Sequence, residues 1–168
     1  LGWWRPMRAV DIAAVLAVAE RVHPDFPEDF CVFEERLRLY PQGCLVHDRD
    51  GAIAAYLISH PWRAFDPPKL NTMLGQLPER AKTYYIHDIA LLPELRGQGV
   101  ANMALEMISA RAMAERLSSL SLVAVNGSAG FWQRHGFQDA GDAALMQKLR
   151  SYDDEAAFMI RRIGQPAA

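Results

Sequence analysis

A chain of 168 residues is long enough for one domain with a substantial hydrophobic core and short for two. With 51% apolar and 23% charged residues it is ordinary for a globular protein. Its formal net charge of −2 gives bulk electrostatics no pull on nucleic acid or an anionic membrane, so neither is expected as a partner.

Trp3 to Arg8 reads as a short first strand. DIAAVLAVAERV follows, with apolar residues at helical spacing and Asp11 placed to cap them. The prolines of HPDFPED, His23 to Asp29, interrupt, and Phe30 to Leu39 resumes as a second helix. CLVHDRDGAIAAYLISH reads as a hairpin turning at Arg49-Asp50-Gly51, an Asp-Gly turn signal. Pro61 to Arg80 is rich in Pro, Asn and Gly and reads as a long loop. TYYIHDIALL has the aromatic and β-branched density of a strand, buried on both faces near its end. Val100 to Leu117 is the clearest helix, with Asn102, Glu106, Ser109 and Arg116 on one polar stripe. LSLVAV is another buried strand, Ser128 to His135 a short helix and AAFMIRRI the last strand. The order β-α-α-β-β-β-α-β-α-β-β predicts a single mixed α/β domain over residues 1–168, with a strand-helix-strand crossover at its centre.

No apolar run approaches the ~20 residues that a membrane-spanning helix needs. Cys31 and Cys44 have no CxxC spacing, which argues against a disulfide scaffold and for a reduced, cytoplasmic setting. His23, His47, His60, His87 and His135 are scattered, with no HxH or HxxxH pair, so no metal site is expected.

The chemistry concentrates at LLPELRGQGVA, where a strand ends at Pro93 and a helix opens at glycines. Amides at a helix start lack intrahelical partners and carry roughly half a positive charge through the helix dipole. Gly97 and Gly99 leave no side chain between them and an incoming phosphate, and Arg96 adds a fixed positive charge. A strand-to-helix turn in which glycine only relieves strain is the alternative. A P-loop would need Lys-Ser or Lys-Thr after the glycines, and a dinucleotide fingerprint would need glycine where Asn102 stands.

Arg96-Gly97-Gln98-Gly99-Val100-Ala101 resembles the R/Q-x-x-G-x-G/A signature of GNAT-type N-acetyltransferases, which bind acetyl-CoA. HDIALLPELRG looks like that family's fourth strand and turn, and NGSAGFWQRHGF like its fifth-strand exit. The element order is also the family's, with a central sheet that splays. The resemblance covers most of the chain, most weakly Phe65 to Arg80. It implies that backbone groups of Ile89, Ala90 and Leu91 pair with the pantetheine arm, as if the cofactor were an added strand. Amides of Arg96, Gly97, Gln98, Gly99, Val100 and Ala101 would hold the diphosphate, with Asn102 next in line. Asn126 and Phe131 would meet the cofactor where the central strands part. The family's Asn usually lies seven residues before its aromatic acid, whereas Asn126 lies six before Trp132.

Acetyl transfer needs a neutral amine, and alkylamines titrate near pH ~10, so a base speeds the reaction. His87 is the best candidate, since a histidine's ordinary pKa of ~6.5 suits neutral pH and the arylamine-acetylating branch of the family carries a histidine there. A strand histidine satisfied by a backbone carbonyl is the alternative. On a regular strand Asp88 points to the opposite face; a bulge would change that parity, and its role would be to orient His87 or bond backbone. The family's thiolate-protonating tyrosine corresponds to Trp132, an indole that is no practical proton donor. Trp132 either stands in that catalytic position or walls the cofactor arm. Tyr84, Tyr85 and Tyr152 are the tyrosines that could replace it, with a packing role as the favoured alternative for each.

The acceptor region comprises HPDFPED and SHPWRAF. There Asp25, Glu28 and Asp29 either attract a cation or are simply solvated, Trp62 and Phe65 either line a pocket or anchor a loop, and His23, His60 and Arg63 add polar options. The expected activity is acetyl-CoA-dependent N-acetylation of a primary amine, on a small molecule or peptide, by direct attack on the thioester. The rival is a non-catalytic acyl-CoA-binding or sensing domain of the same fold. Acceptor identity and oligomeric state, a homodimer included, stay open.

Overall fold

A computed structural model of the chain describes residues 1–150 and 152–164. Along it run β1 (Gly2–Pro6), α1 (Ile12–Val22), α2 (Phe30–Leu39), β2 (Cys44–Arg49), β3 (Ala52–Trp62) and β4 (Thr83–Leu91). Then come α3 (Val100–Ala114), β5 (Ser119–Ala124), α4 (Ala129–Arg134), β6 (Gln138–Asp139), α5 (Ala143–Leu149) and β7 (Ala157–Arg162). The strands form one seven-stranded sheet in the order β1-β2-β3-β4-β5-β7-β6. Only β4 and β5 run parallel, joined by the α3 crossover; the other pairs are antiparallel. The β2–β3 hairpin turns as its Asp-Gly signal requires, with both residues at positive φ (54° and 89°).

Helices cover both faces. On α3, Val100, Ala104, Leu105, Ile108 and Ala112 form one apolar stripe, packed with Trp4, Leu57, Tyr84, Ile86 and Trp132. On the other face Ile12, Val15 and Val18 of α1 and Phe33 of α2 pack on Val46, Tyr56, Ile58 and Ala90. A third cluster seats Leu145 and Leu149 of α5 on Phe158.

Several expectations need correction. A helix not anticipated, α5, lies between the last two strands, capped by the Asp142 carboxylate accepting the Leu145 N–H at 2.8 Å. Asp11 does not cap α1 with its side chain. Its carboxylate instead accepts the Arg8 N–H at 2.8 Å and both terminal nitrogens of Arg5 at 2.9 Å, across the short turn before the helix. α3 stops at Ala114, not Leu117. Arg116 takes a left-handed φ of 60° and donates to Met113, while the Leu117 N–H reaches back to Ala112, the Schellman pattern that ends a helix. Strand β4 is fully buried at its start and only half-buried at Asp88 and Ile89, the reverse of what was expected, because its later half borders a cleft.

Candidate active site

Strands β4 and β5 are hydrogen-bonded only from Tyr84–Ile86 to Leu120–Leu122. Beyond Ile86, β4 stays on β3 as far as Leu91, while β5 stays on β7 as far as Ala124. The strands therefore splay, and between them opens a cleft of about 700 Å³, the size of a cofactor site. The free edge of β4 at Ile89, Ala90 and Leu91 faces that opening, where an extended ligand could add as a strand.

The start of α3 forms one end of the cleft. Gly97 and Gly99 have φ of 77° and 75°, the left-handed region, and a Cβ on either would meet nothing within 4 Å. Glycine here serves the backbone turn and leaves open space beside it. The first backbone bond of the helix runs from Met103 to Gly99, so the preceding amides have no helical carbonyl to meet. Trp4 pins this turn by donating its indole N–H to the Val100 carbonyl at 2.8 Å, and Gln98 folds its side chain back onto the Glu94 carbonyl at 2.7 Å. Arg96, Gly97, Gly99, Val100, Ala101 and Asn102 all line the cleft. A glycine-bordered helix start with a neighbouring arginine fits a diphosphate group.

The other end is built on a β-bulge. Ile58 pairs with Asp88 but Ser59 pairs with Ile86, leaving His87 as the extra residue. Before it, Tyr84 and Ile86 face α3; after it, Ala90 faces α1, and Ile89 and Leu91 face α3. His87 and Asp88 thus share the α1 face, and both line the cleft.

His87 Nε2 lies 2.7 Å from Glu28 Oε1, with both side chains about 5% exposed or less. Despite burial, which alone would raise it, the Glu28 carboxyl is held below its usual range by His87, the Asn71 N–H and Arg36. An ionised Glu28 accepts the Nε2 proton, and among the described residues no protein group bonds Nδ1. Asp88 Oδ1 meets His23 Nε2 at 3.0 Å, and its Oδ2 accepts from the Tyr56 hydroxyl. Burial opposes charging His23, but the Asp88 carboxylate and the Ile89 carbonyl overcome it and raise its pKa. The fully buried Tyr56 hydroxyl is pushed well above its ordinary value by desolvation and by Asp88.

Behind Glu28 lies Arg36, 2% exposed, bonded at 3.0 Å to Glu35 and to the Thr72 carbonyl. Desolvation lowers its pKa, with Glu28 and Glu35 opposing. Glu35 in turn accepts the Leu74 and Gly75 N–H groups at 2.6 and 3.0 Å. The loop between β3 and β4 is thereby tied to α2.

Across the cleft, Asn126 is left-handed at φ 56°, followed by Gly127 at 67°, and its N–H donates to Asp153 at 3.0 Å. Phe131 and Trp132 wall this side; Trp132 is 6% exposed and meets Phe131 and Phe137 edge to face. Of the candidate tyrosines, Tyr85 and Tyr152 line the cleft. Tyr84 is buried on the α3 side with its hydroxyl 2.9 Å from Ser59, which removes it as an acid. Neither Trp62 nor Phe65 lines the cleft: the Trp62 indole donates to the Asp66 carbonyl at 2.7 Å under a stacked Arg63, and Phe65 packs on Phe158. His60 is also buried away from it.

Sequence reasoning brought out His87 and the glycine turn but took Glu28 as one of three acids in a charge run and left His23 among undecided polar groups. Flanking proline and apolar residues in DFPEDF were the available sign that Glu28 is not solvated. Among the described residues no cluster of His, Cys, Asp and Glu could hold a metal ion, and no helix is long and apolar enough to cross a membrane.

A family model described as the acetyltransferase (GNAT) family matches residues 10–137. Among solved structures, the GphF GNAT-like decarboxylase in complex with isobutyryl-CoA aligns with a TM-score of 0.79 at 16% identity, covering 95% of this chain and 98% of that one. The loading GNATL domain of CurA from Lyngbya majuscula aligns at 0.77 and 16% identity, over 96% and 98%. The ribosomal-protein-S18-alanine N-acetyltransferase from Escherichia coli aligns at 0.66 and 17% identity, over 99% and 97%. At such identities the likeness is one of fold. No curated protein sequence matches the chain.

Proposed function

The chain belongs to the acetyltransferase (GNAT) family, and from that premise we propose that it transfers an acetyl group from acetyl-CoA to a primary amine by direct attack, without a covalent enzyme intermediate. The observation that carries this reading is one cleft with a glycine-bordered helix start at one end and a carboxylate-bonded histidine at the other. Bound there, acetyl-CoA would supply a thioester carbonyl as the electrophile. Amides from Arg96 to Ala101, with Asn102 beside them, would hold its diphosphate. The open edge of Ile89, Ala90 and Leu91 would hold the arm opposite Asn126 and Phe131.

His87 is the base. Glu28 accepts a hydrogen bond from Nε2–H, which fixes that tautomer, so Nδ1 carries the lone pair that accepts a proton from the incoming ammonium. The charge that forms on the ring is balanced by the Glu28 carboxylate. Asp88 is committed to His23 and Tyr56, so it shapes the site and is not the base. Trp132, packed between Phe131 and Phe137, is a wall. A thiol titrates near ~8.5, so the leaving group does not need an acid at that position. Free Cys31 and Cys44 support a reducing, cytoplasmic setting.

The test is release of free thiol on mixing the protein with acetyl-CoA and a panel of amines. Amine-dependent thiol release is the expected result. A CoA-induced rise in melting temperature with no thiol release would leave a non-catalytic acyl-CoA-binding domain instead.

A further inference from the structure

The acceptor end of the cleft has a chemical character of its own. Around His87 it is lined by Phe26, Pro68, Leu70, Tyr85 and Tyr152. Of the carboxylates there, Glu28 has both oxygens taken, Oε1 by His87 and Oε2 by the Asn71 N–H at 2.9 Å, and Asp88 is held by His23 and Tyr56. The arginines on the cleft wall are Arg96 in the glycine turn and Arg134 at the end of α4. Arg36 is sealed beneath Glu28, and the nearby His23 is held by Asp88. A carboxylate entering beside His87 therefore meets aromatic and aliphatic surface and, among the described residues, no cation that is not already paired, which is costly.

The same end is roofed. The Tyr152 hydroxyl donates to the Pro68 carbonyl at 2.8 Å, fastening the β3–β4 loop to the segment after α5. Three residues on, Asn71 sits at a left-handed φ of 54° and grips the α1–α2 connection. Its N–H bonds Glu28, its side-chain carbonyl accepts the Asp29 N–H at 2.8 Å, and its amide donates to the Asp29 carboxylate at 3.2 Å. Pro68 to Asn71 thus crosses from one wall to the other as a strap, and a polypeptide lying through this end would have to break it.

Resting on the acetyltransferase reading above, we propose that the acceptor is a compact primary amine with an uncharged apolar body, and that the site rejects amino acids and peptide N-termini. The nitrogen is delivered to His87 while the body fills the space bounded by Phe26, Leu70, Tyr85 and Tyr152.

A matched series tests this: 3-methylbutylamine, leucine and Leu-Gly-Gly share one aliphatic body and differ in the carboxylate and the chain beyond it. Acetyl transfer is followed by thiol release, and binding of each to the CoA-loaded protein by calorimetry. The expected result is a kcat/KM for 3-methylbutylamine above the other two by on the order of a hundredfold or more, with binding in the same order. Leu70→Arg, which places a cation in the chamber, should narrow the gap to leucine; Asn71→Gly, which keeps the left-handed turn but drops two strap bonds, should narrow the gap to Leu-Gly-Gly. Leucine or the peptide matching the amine in both rate and binding overturns the proposal while leaving the acetyltransferase reading intact. Selective binding of 3-methylbutylamine without turnover does the opposite.

Discussion

Gly99 offers a way to separate backbone strain from charge at the start of α3. Its φ of 75° costs an L-residue roughly 1 kcal/mol, and the empty space around a Cβ there adds no clash. Gly99→Ala should therefore lower the melting temperature by about 2–4 °C for a chain of this size. Gly99→Glu carries the same backbone cost and sets a negative charge beside a ligand diphosphate. At ~7 Å and an effective dielectric of ~20, each pair of unit charges costs about 2.4 kcal/mol, hence about 5 for two phosphate charges. Halving this for solvent and salt leaves about 2.4 kcal/mol, roughly fiftyfold in affinity. Melting curves and calorimetric titration with CoA on both variants give the comparison. Equal stability with CoA binding weakened only in Gly99→Glu is expected. Equal CoA affinity in the two variants would show that the anion does not bind at this helix start.

Three further outcomes are expected. His87→Ala should reduce kcat by about 10²–10⁴ at pH 7 and by much less near pH 10, where the amine is already neutral; a loss independent of pH would assign His87 a structural role. His60 is 1% exposed, its Nδ1 bonded to the Pro61 carbonyl and its Nε2 without a partner among the described residues, and burial pushes it down to about 3. The unfolded chain takes a proton there near the ordinary ~6.5, so this contribution to stability is complete above that pH and is lost as pH falls toward 3, at up to ~1.4 kcal/mol per pH unit. In urea unfolding between pH 6 and 4, His60→Phe should flatten the decline, and an unchanged slope would contradict this. Trp4→Phe removes the bond to the Val100 carbonyl and should cost about 1 kcal/mol of stability together with CoA affinity; a calorimetric titration showing full affinity would mean the turn holds its shape without that anchor.

What the sequence revealed of this site depended on how local each feature is. The phosphate turn was legible because it needs only glycines at the right places on the backbone, Gly97 and Gly99. His87 was legible by its place before Ile89 to Leu91, but its partner Glu28 lies 59 residues away, and tertiary packing alone brings them together. Strand alternation misassigns Asp88 because a bulge leaves no mark in the residue types. Asn71 carries no periodicity that would announce its grip on Glu28 and Asp29. The missed helix α5 was within reach, since Asp142 before Ala143-Ala144-Leu145 is an ordinary cap signal with Leu145 and Leu149 one turn apart.

The extra residue in β4 has a consequence for how this protein tolerates change. Upstream of His87 the strand serves the parallel ladder; downstream it serves the opening, and the two halves are out of phase by one side chain. Shortening the strand by a single position would restore regular pairing and rotate either the histidine or the aspartate toward α3. Point substitutions along β4 adjust individual contacts, whereas a one-codon deletion beside the bulge would dismantle one of the two carboxylate–imidazole pairs at a stroke while leaving the hydrophobic layers largely able to form.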